Sequence, residues 1–228
     1  YFGTPYFFSD FKFRFPLRTR ELAELSQISK IIYHEDSIHD LFQRFIEEAD
    51  SILIFLKYIE SVKLMIWEEG SSEPETYFEV HIENISEELR EKREAMVKIV
   101  NNQDYLDETL KNNEISTFKM DIAMLSESGK NSYFWVISNQ MGGLRPNEMA
   151  IEEKRKSENL KLIPWCGVAV PFSSYVNSDL KKDLSKSRGR VFCFLPLPAE
   201  TGIPAHINGC FELSLNRRDI WHGTDMGG

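Results

Sequence analysis

Alternating apolar and polar residues predict two antiparallel hairpins. Apolar side chains alternate over residues 62–66 and again over 78–82, with a glycine and serine turn between the two runs. The same pattern recurs over 118–124 and 133–137, on either side of a polar turn at 127–131. Alternation with a period of two is typical of half-buried strands, and short turns between such runs join antiparallel neighbours. The sequence therefore predicts one hairpin over 62–82 and another over 118–137.

Apolar spacing of three and four residues predicts helices around the hairpins. The first runs from Ser37 to about Leu56, with Ser37 as its cap and a possible break at Asp50. A second is predicted from Glu87 to about Val100, capped by Ser86, and a charged third helix over 147–160. These helices would cover one side of the sheet.

Three further segments have the pattern of strands. Residues 11–15 alternate phenylalanine with basic residues, and 163–171 and 190–198 are short apolar runs, the last closed by prolines. Residues 173–187 are predicted to be a polar loop. The resulting order is strand, helix, hairpin, helix, hairpin, helix, strand, loop, strand. It predicts an α+β or α/β fold with mixed sheets, in which helices cover antiparallel hairpins.

Composition narrows the class of partner. The chain has 228 residues, 42% of them hydrophobic, which suffices for a sizeable core. Its net charge of −9 disfavours nucleic acid, which is bound by an excess of lysine and arginine. No apolar run approaches the length of a membrane span, and the first residues lack a secretory signal. We therefore expect no nucleic-acid or membrane partner, and we expect a segment of a longer cytosolic polypeptide.

The sequence contains no recognisable catalytic or metal-binding motif. Cys166, Cys193 and Cys210 are widely spaced among apolar residues, which predicts buried reduced thiols. His206 near Cys210 is too weak a signal for zinc, and we expect His206 to be a packed strand residue. Phosphate-binding glycine loops and nucleophile motifs are absent. The sequence alone thus predicts neither an enzyme nor a metal site.

Two basic regions have competing interpretations. Arg145 after Gly142 and Gly143 offers an anion site, for which a flexible connection is the alternative. The basic loop over 181–190 offers contact with an acidic partner, for which a solvated loop is the alternative.

Arg217 and Arg218 differ from the other basic residues because the chain around them is apolar. In a structural role, Arg218 would pair with Asp219 or Glu212 and pack on a tryptophan. In a functional role, one of the two arginines would reach a phosphate supplied by another domain. Residue chemistry alone leaves both roles open.

Several short motifs stand near the two ends of the chain. They are Phe-Arg-Phe-Pro-Leu-Arg at 13–18, Phe-Cys-Phe-Leu-Pro-Leu at 192–197, Thr-Gly-Ile-Pro at 201–204, His-Ile-Asn-Gly at 206–209, Asn-Arg-Arg at 216–218 and Trp221. In their order and spacing these motifs resemble the sacsin repeat family, whose members look like the ninety-kilodalton heat-shock chaperones and belong broadly to the GHKL ATPases.

The resemblance implies a position downstream of an ATP-binding domain. Residues 1–20 would be the closing strand of that upstream domain with a linker, and 21–228 a module like the chaperones' middle domain. Such middle domains supply a basic residue to the γ-phosphate, a role that the resemblance assigns to Arg217 or Arg218. The pair of arginines followed by Asp219 departs from the chaperone pattern and leaves the choice between them open. ATP is then expected in the upstream domain, with no cofactor or metal in this chain.

The resemblance also implies a function. We expect part of a chaperone-like repeat that binds protein partners or clients in the cytoplasm and relays the nucleotide state of the upstream domain. Its partners would be other domains of the same polypeptide, chaperones or clients. The alternative is a non-catalytic interaction scaffold without nucleotide coupling. A free-standing hydrolase is a third hypothesis, for which the sequence assembles no site.

Overall fold

The computed structural model divides the chain into two compact units, residues 1–45 and 46–228, and each is described by itself. The described residues are 11–13, 17–101, 113–142, 165–172, 188–211, 213–214 and 219–220.

The first unit contains a short helix, α1 (Arg20–Leu25). The Thr19 hydroxyl caps it by accepting the Leu22 N–H at 3.3 Å. Phe11 and Phe13 lie outside any helix or strand and are largely exposed, so residues 11–13 do not form the predicted half-buried strand. The assignment of residues 1–20 to the end of an upstream domain stays a prediction.

Helix α2 (Glu35–Ile52) contributes residues to both units and begins before the predicted cap. The Ser37 N–H donates to the His34 carbonyl at 3.0 Å, so Ser37 lies inside the first turn. Acidic residues in that first turn are stabilised by the helix dipole. The helix continues through Asp50 without the predicted break.

The second unit is built on one mixed sheet of eight described strands, in the order β1-β2-β3-β4-β5-β8-β6-β7. Every neighbouring pair is antiparallel except β6 and β8, which are parallel. This architecture confirms the α+β class. The strands are β1 (Ser61–Ile66), β2 (Glu75–Glu83), β3 (Asn113–Ser126), β4 (Gly129–Gly142), β5 (Trp165–Pro171), β6 (Arg190–Cys193), β7 (Leu195–Glu200) and β8 (His206–Gly209).

Both predicted hairpins are confirmed. Leu64 pairs with Phe78 across β1 and β2, and Phe118 pairs with Ile137 across β3 and β4. The second hairpin is longer than the alternating pattern indicated, because its ladder extends to the pairing of Asn113 with Gly142. The extension could not be predicted from alternating apolar residues, because the end of the hairpin away from its turn carries many polar side chains.

The predicted single strand over 190–198 is wrong. The chain reverses at Phe194, so that β6 and β7 are antiparallel neighbours, with Cys193 paired to Leu195. Phe194 has a φ of 63°, a left-handed value that is rare outside glycine, asparagine and aspartate. A sequence pattern that reads apolar residues cannot detect such a reversal.

The core lies on one face of the sheet, which we call the inner face. Val80, Ile122 and Ile137 on this face are fully buried. Residues 49–55 at the end of α2 include buried side chains, and the Trp135 indole N–H donates to the Asp50 carbonyl at 3.0 Å. Helix α3 (Glu87–Asn101) packs against β3. Its predicted cap is confirmed, since the Ser86 hydroxyl accepts the Leu89 N–H at 3.1 Å.

Several predictions fall outside the described residues. They are the charged helix over 147–160, most of the basic loop and the Gly143–Arg145 segment. Within the described part of the chain, no helix is both long and apolar enough to cross a membrane.

Candidate functional site

The motifs at 192–197, 201–204 and 206–209 lie together in one described stretch, residues 188–211. Its first feature is the reversal at Phe194, whose N–H donates to the Asn208 side-chain oxygen at 2.8 Å. Asn208 lies on β8 and is 1% exposed. A backbone N–H in a tight reversal has no strand partner, and leaving it unpaired away from water is costly. The Asn208 amide therefore holds the reversal in place.

The second feature is the connection between β7 and β8. The Thr201 hydroxyl lies 2.8 Å from the Ala205 carbonyl, and the Thr201 N–H donates to the Gly189 carbonyl at 2.9 Å. The Gly189 N–H in turn donates to the Ile203 carbonyl at 2.9 Å. A Cβ on Gly189 would lie 1.9 Å from the Ala205 carbonyl oxygen, so the close approach of these backbones requires glycine.

The third feature is His206, which is a packed strand residue, as predicted. Its Nδ1 accepts the Arg190 N–H at 3.0 Å, which ties β8 to the start of β6. The ring lies 5.1 Å from the ring centres of both Trp135 and Phe192. His206 is therefore held by structural contacts, as are Thr201 and Asn208.

Lys57 is the most unusual charged side chain near this stretch. Its Nζ lies 4.3 Å from the centre of the Phe194 ring and 4.6 Å from that of Trp165, which are cation–π distances. The two rings meet edge to face at 5.2 Å. Partial burial lowers the pKa of Lys57, and an electrostatic interaction with Cys210 opposes that shift. Lys57 thus links the segment after α2 to the reversal at Phe194.

A cavity of about 320 Å³ lies beside this cluster, where β4 and β8 end and β5 begins. That volume is at the lower end of the range for small-molecule sites, about 300–1,000 Å³. Trp165 and Phe211 give it aromatic walls, and its described lining has no lysine, arginine or carboxylate. Its lining also includes Gly142, Cys166, Asn208, Gly209 and Cys210.

The three cysteines are thiols rather than disulfides, but the prediction that they are buried is wrong, since none of them is fully buried. Cys166 is exposed, and Cys193 and Cys210 are half-buried. Cys166 occupies an outward position in β5, whose residues alternate between buried and exposed. Although Cys166 reaches the surface, neighbouring atoms remove part of the water around its sulfur, and this desolvation raises the pKa of the Cys166 thiol. Among the described residues, no group of three potential ligands is arranged to hold a metal ion.

Arg217 and Arg218 lie outside the described residues, so their candidate role stays a prediction. The described residues on either side of them do approach each other. Leu213 and Ile220 form an antiparallel bridge, and the Ser214 N–H donates to the Asp219 carbonyl at 2.8 Å.

A second candidate surface lies on the opposite, outer face of the sheet. Val170 pairs directly with Val136, and Val168 pairs with Ile207, so their side chains share this face. Val168, Val170 and Phe172 are 37%, 43% and 48% exposed. We call Val136, Val168, Val170, Phe172 and Ile207 the outer stripe. Contiguous exposed apolar side chains are typical of interaction sites, whereas scattered ones are not.

A charged network joins α3 to the segment before β1. Arg90 Nε donates to Glu60 at 2.9 Å, which lowers the pKa of that carboxyl. Arg93 is buried and donates to the carbonyls of Leu56 and Ile59 at 2.7 and 2.8 Å. Burial lowers its pKa, and Glu60 opposes the shift. The network fixes the chain that leads from α2 into the sheet.

Sequence reasoning missed Lys57, Gly189 and the outer stripe. Lys57 stands alone in an apolar run over 54–59, which is a detectable signal for a desolvated amine. The outer stripe was hidden because 165–171 is mostly apolar, a pattern that predicts burial on both faces. Gly189 has no local signal, because its constraint comes from Ala205.

A family model and a curated protein that match the chain carry the same family description. The family model described as Sacsin domain matches residues 5–79. The human protein named Sacsin is 34% identical over 226 residues, and that alignment covers 94% of this chain. The chain spans 5% of the length of that curated relative. No solved structure matches the chain.

Proposed function

Because the chain is a segment of the sacsin family, we propose that it is the protein-binding module of a chaperone-like repeat. In this proposal it binds client or partner proteins and relays the nucleotide state of an ATP-binding domain upstream. Its partners are other domains of the same polypeptide, chaperones and clients, in the cytoplasm. In this proposal the ATP pocket belongs to the upstream domain, and this chain contributes Arg217 or Arg218 to the γ-phosphate.

The outer stripe is the observation that carries the protein-binding part of the proposal. Helix and loop residues cover the inner face, whereas the side chains of Val168, Val170 and Phe172 on the outer face are more than one third exposed. Lys119 extends over the Phe172 ring at 5.7 Å, which adds a cation at the border of the stripe. An apolar stripe with a polar border suits exposed apolar segments of an unfolding protein.

A client-aggregation assay tests this surface. The chain is added to a thermally unfolding client, and light scattering is compared for the wild type and a Val168→Thr/Val170→Thr variant. Threonine keeps the shape and strand preference of valine but replaces one methyl with a hydroxyl, and both positions are more than one third exposed, so we expect the fold to be retained while apolar contact is lost. We expect the variant to suppress aggregation much less than the wild type.

Ile203→Thr is the matched control, because Ile203 is 52% exposed but lies in the connection between β7 and β8. It should suppress aggregation as well as the wild type. Equal suppression by all three proteins would reject the outer stripe as the binding surface.

The relay part of the proposal concerns Arg217 and Arg218. A guanidinium stabilises the charge that develops on a transferring phosphoryl group, so one of the two is expected to support ATP turnover. Each is replaced by alanine in a longer chain that includes the upstream domain. Reduced turnover with an unchanged melting temperature supports the relay. Equal loss of folding and turnover indicates a structural role instead.

A scaffold without nucleotide coupling is the second candidate function. The observation that favours it is the use of Thr201, His206 and Asn208 in internal hydrogen bonds. These residues carry much of the family resemblance, and a purely structural role accounts for them. Under this alternative neither arginine replacement lowers ATP turnover beyond what a loss of folding explains.

A further inference from the structure

The two outermost strands of the described sheet differ in their capacity to accept another strand. At one edge, β7 contains Pro196 and Pro198, which have no backbone N–H to donate. At the other edge, β1 runs from Ser61 to Ile66 without proline or glycine. Prolines are a common protection against edge pairing, and β1 lacks that protection.

The pairing of β1 with β2 fixes which backbone groups point to the edge. The Ile82 N–H donates to the Glu60 carbonyl at 2.9 Å, and Val62 pairs with Val80 two residues further along. Up to Leu64, residues that exchange ladder bonds alternate with residues that do not; after Leu64 the register shifts by one residue of β2. Lys63, between the bonded positions, therefore directs its N–H and carbonyl away from β2. The Ser61 backbone points the same way.

Side chains along β1 remain partly uncovered. Val62 and Leu64 are half-buried, whereas their partners Val80 and Phe78 are 0% and 1% exposed. The difference arises at the edge, because β1 has one described neighbour and β2 has two. One further strand would bury these side chains.

An exposed lysine often protects an edge strand from pairing, but the lysine of β1 is paired with a carboxylate. Lys63 is the lysine of β1, and its Nζ lies 3.0 Å from a Glu79 carboxylate oxygen. Large apolar residues flank the strand, since Tyr58 is 65% exposed and Trp67 is 48% exposed. Aromatic residues of this kind are enriched at protein interfaces.

Negative charge near the turn between β1 and β2 favours one orientation of an added strand. Residues 68–75, which include the first residue of β2, contain four exposed glutamates and no lysine or arginine. A strand antiparallel to β1 would begin beside this turn. Basic residues at the N-terminal end of such a strand would be attracted to it.

We propose that the β1 edge binds an extended segment of a partner protein as a ninth, antiparallel strand, with alternating apolar side chains and basic residues at its N-terminal end. This inference rests on the proposed protein-binding function and specifies a mode of binding separate from the outer stripe.

A second copy of the chain is a poorer occupant. In two antiparallel registers, most of β1 pairs with the β1 of a second copy and side chains of the same sheet face lie opposite each other. One places Lys63 opposite Lys63, and the other places Glu60 opposite Glu68. Like charges directly opposite each other destabilise a strand pair. The net charge of −9 further disfavours self-association.

A labelled peptide tests the edge directly. The probe is Lys-Lys-Thr-Val-Thr-Val-Thr-Val, and its binding to the chain is followed by fluorescence anisotropy. Alternate peptide N–H groups face β1 in an antiparallel pair, so N-methylation of one alternate set should weaken binding about tenfold or more, through lost hydrogen bonds. N-methylation of the other set should have little effect. Equal effects of both sets, or no binding by the unmodified peptide, would overturn the proposal.

Two variants of one residue give the matching test on the protein. Lys63→Pro removes an edge-facing N–H without removing a ladder bond, and Lys63→Ala keeps that N–H while removing the same charge. The proline variant should lose the peptide and the alanine variant should retain it. Circular dichroism checks folding, and if the proline variant does not fold, the N-methylated peptides decide. A dimer of the free chain in sedimentation, abolished by Lys63→Pro, would contradict the proposal.

The outcomes separate this inference from the proposed function. The Val168→Thr/Val170→Thr variant should bind the peptide like the wild type. If client suppression depends on the outer stripe and the peptide does not bind, the edge proposal fails while the protein-binding function stands. If the peptide binds at β1 and no client is suppressed, the edge proposal stands and client binding by the outer stripe fails.

Discussion

The side-chain oxygen of Asn208 accepts the N–H of Phe194 at 2.8 Å, which joins β8 to the one-residue reversal between β6 and β7. Phe194 has a positive φ, and a non-glycine residue in this conformation persists only when its surroundings hold it. Asn208→Ala leaves the Phe194 N–H without its partner. We expect the free energy of unfolding to fall by about 2 kcal/mol, measured by urea denaturation.

Asn131→Ala serves as the control, because Asn131 is exposed near the turn between β3 and β4. A change within about 0.5 kcal/mol is expected there. Equal stability of both variants would show that Asn208 does not hold the reversal.

Alanine substitutions at Gly189 and Gly202 should be destabilising for two different reasons. At Gly189 an added Cβ meets the Ala205 carbonyl at 1.9 Å, so Gly189→Ala forces two backbone segments apart and should cost about 3 kcal/mol. Gly202 has open space around it but a φ of 73°, so Gly202→Ala should cost only about 1 kcal/mol. Thermal and chemical denaturation of the two variants give this comparison. A Gly202 variant less stable than the Gly189 variant would contradict the assignment.

The lowered pKa of Lys57 should make the free energy of unfolding depend on pH in the alkaline range. Burial lowers the pKa of Lys57 from its ordinary 10.5, so just below pH 10.5 the unfolded chain binds this proton more strongly than the folded chain. Stability contributed by this group therefore rises as pH increases through that window. Lys57→Met retains the aliphatic stem but does not titrate. The wild-type minus variant difference in unfolding free energy should rise toward pH 10.5, and a flat difference would contradict the lowered pKa.

Glu60 predicts the opposite dependence on the acid side. Hydrogen bonding from Arg90 lowers the pKa of Glu60 below its ordinary 4.5. The stability that it contributes is present above pH 4.5 and is lost as pH falls through the lowered pKa. Glu60→Gln should cost about 1 kcal/mol at neutral pH, a modest value because the pair is largely solvated.

The cost of Glu60→Gln should disappear in acid, as measured by denaturation across the pH range. Glu88→Gln removes an exposed pair with Lys92 and is the matched control, with little expected effect on stability. A cost of Glu60→Gln that persists at low pH would show that the charge is not its cause.

Local patterns predicted much of the sheet. The β1–β2 and β3–β4 hairpins and the Ser86 cap depend on contacts between residues close in sequence, and the structure contains them all. The reversal at Phe194 depends instead on Asn208 from another strand. That long-range contact overrides the preference of an apolar run to stay extended.

The candidate surfaces were harder to predict for a related reason. Whether Val168 and Val170 are exposed depends on what covers each face of β5, and the apolar run that contains them is equally consistent with burial on both faces. The edge position of β1 follows from the order of strands in the sheet, which one strand's sequence does not contain. Arg217 and Arg218 were selected by residue chemistry and resemblance, and they stay a prediction.

Methyl NMR with a bound client tests the central claim most directly. The chain is labelled at valine and alanine methyl groups, an unlabelled unfolding client is added, and saturation is transferred from client protons. Val168 and Val170 lie on the outer face of β5, whereas Ala169 between them is 0% exposed on the inner face. The account predicts strong saturation of both valines and none of Ala169. Saturation confined to residues away from β5, or absent altogether, would contradict it.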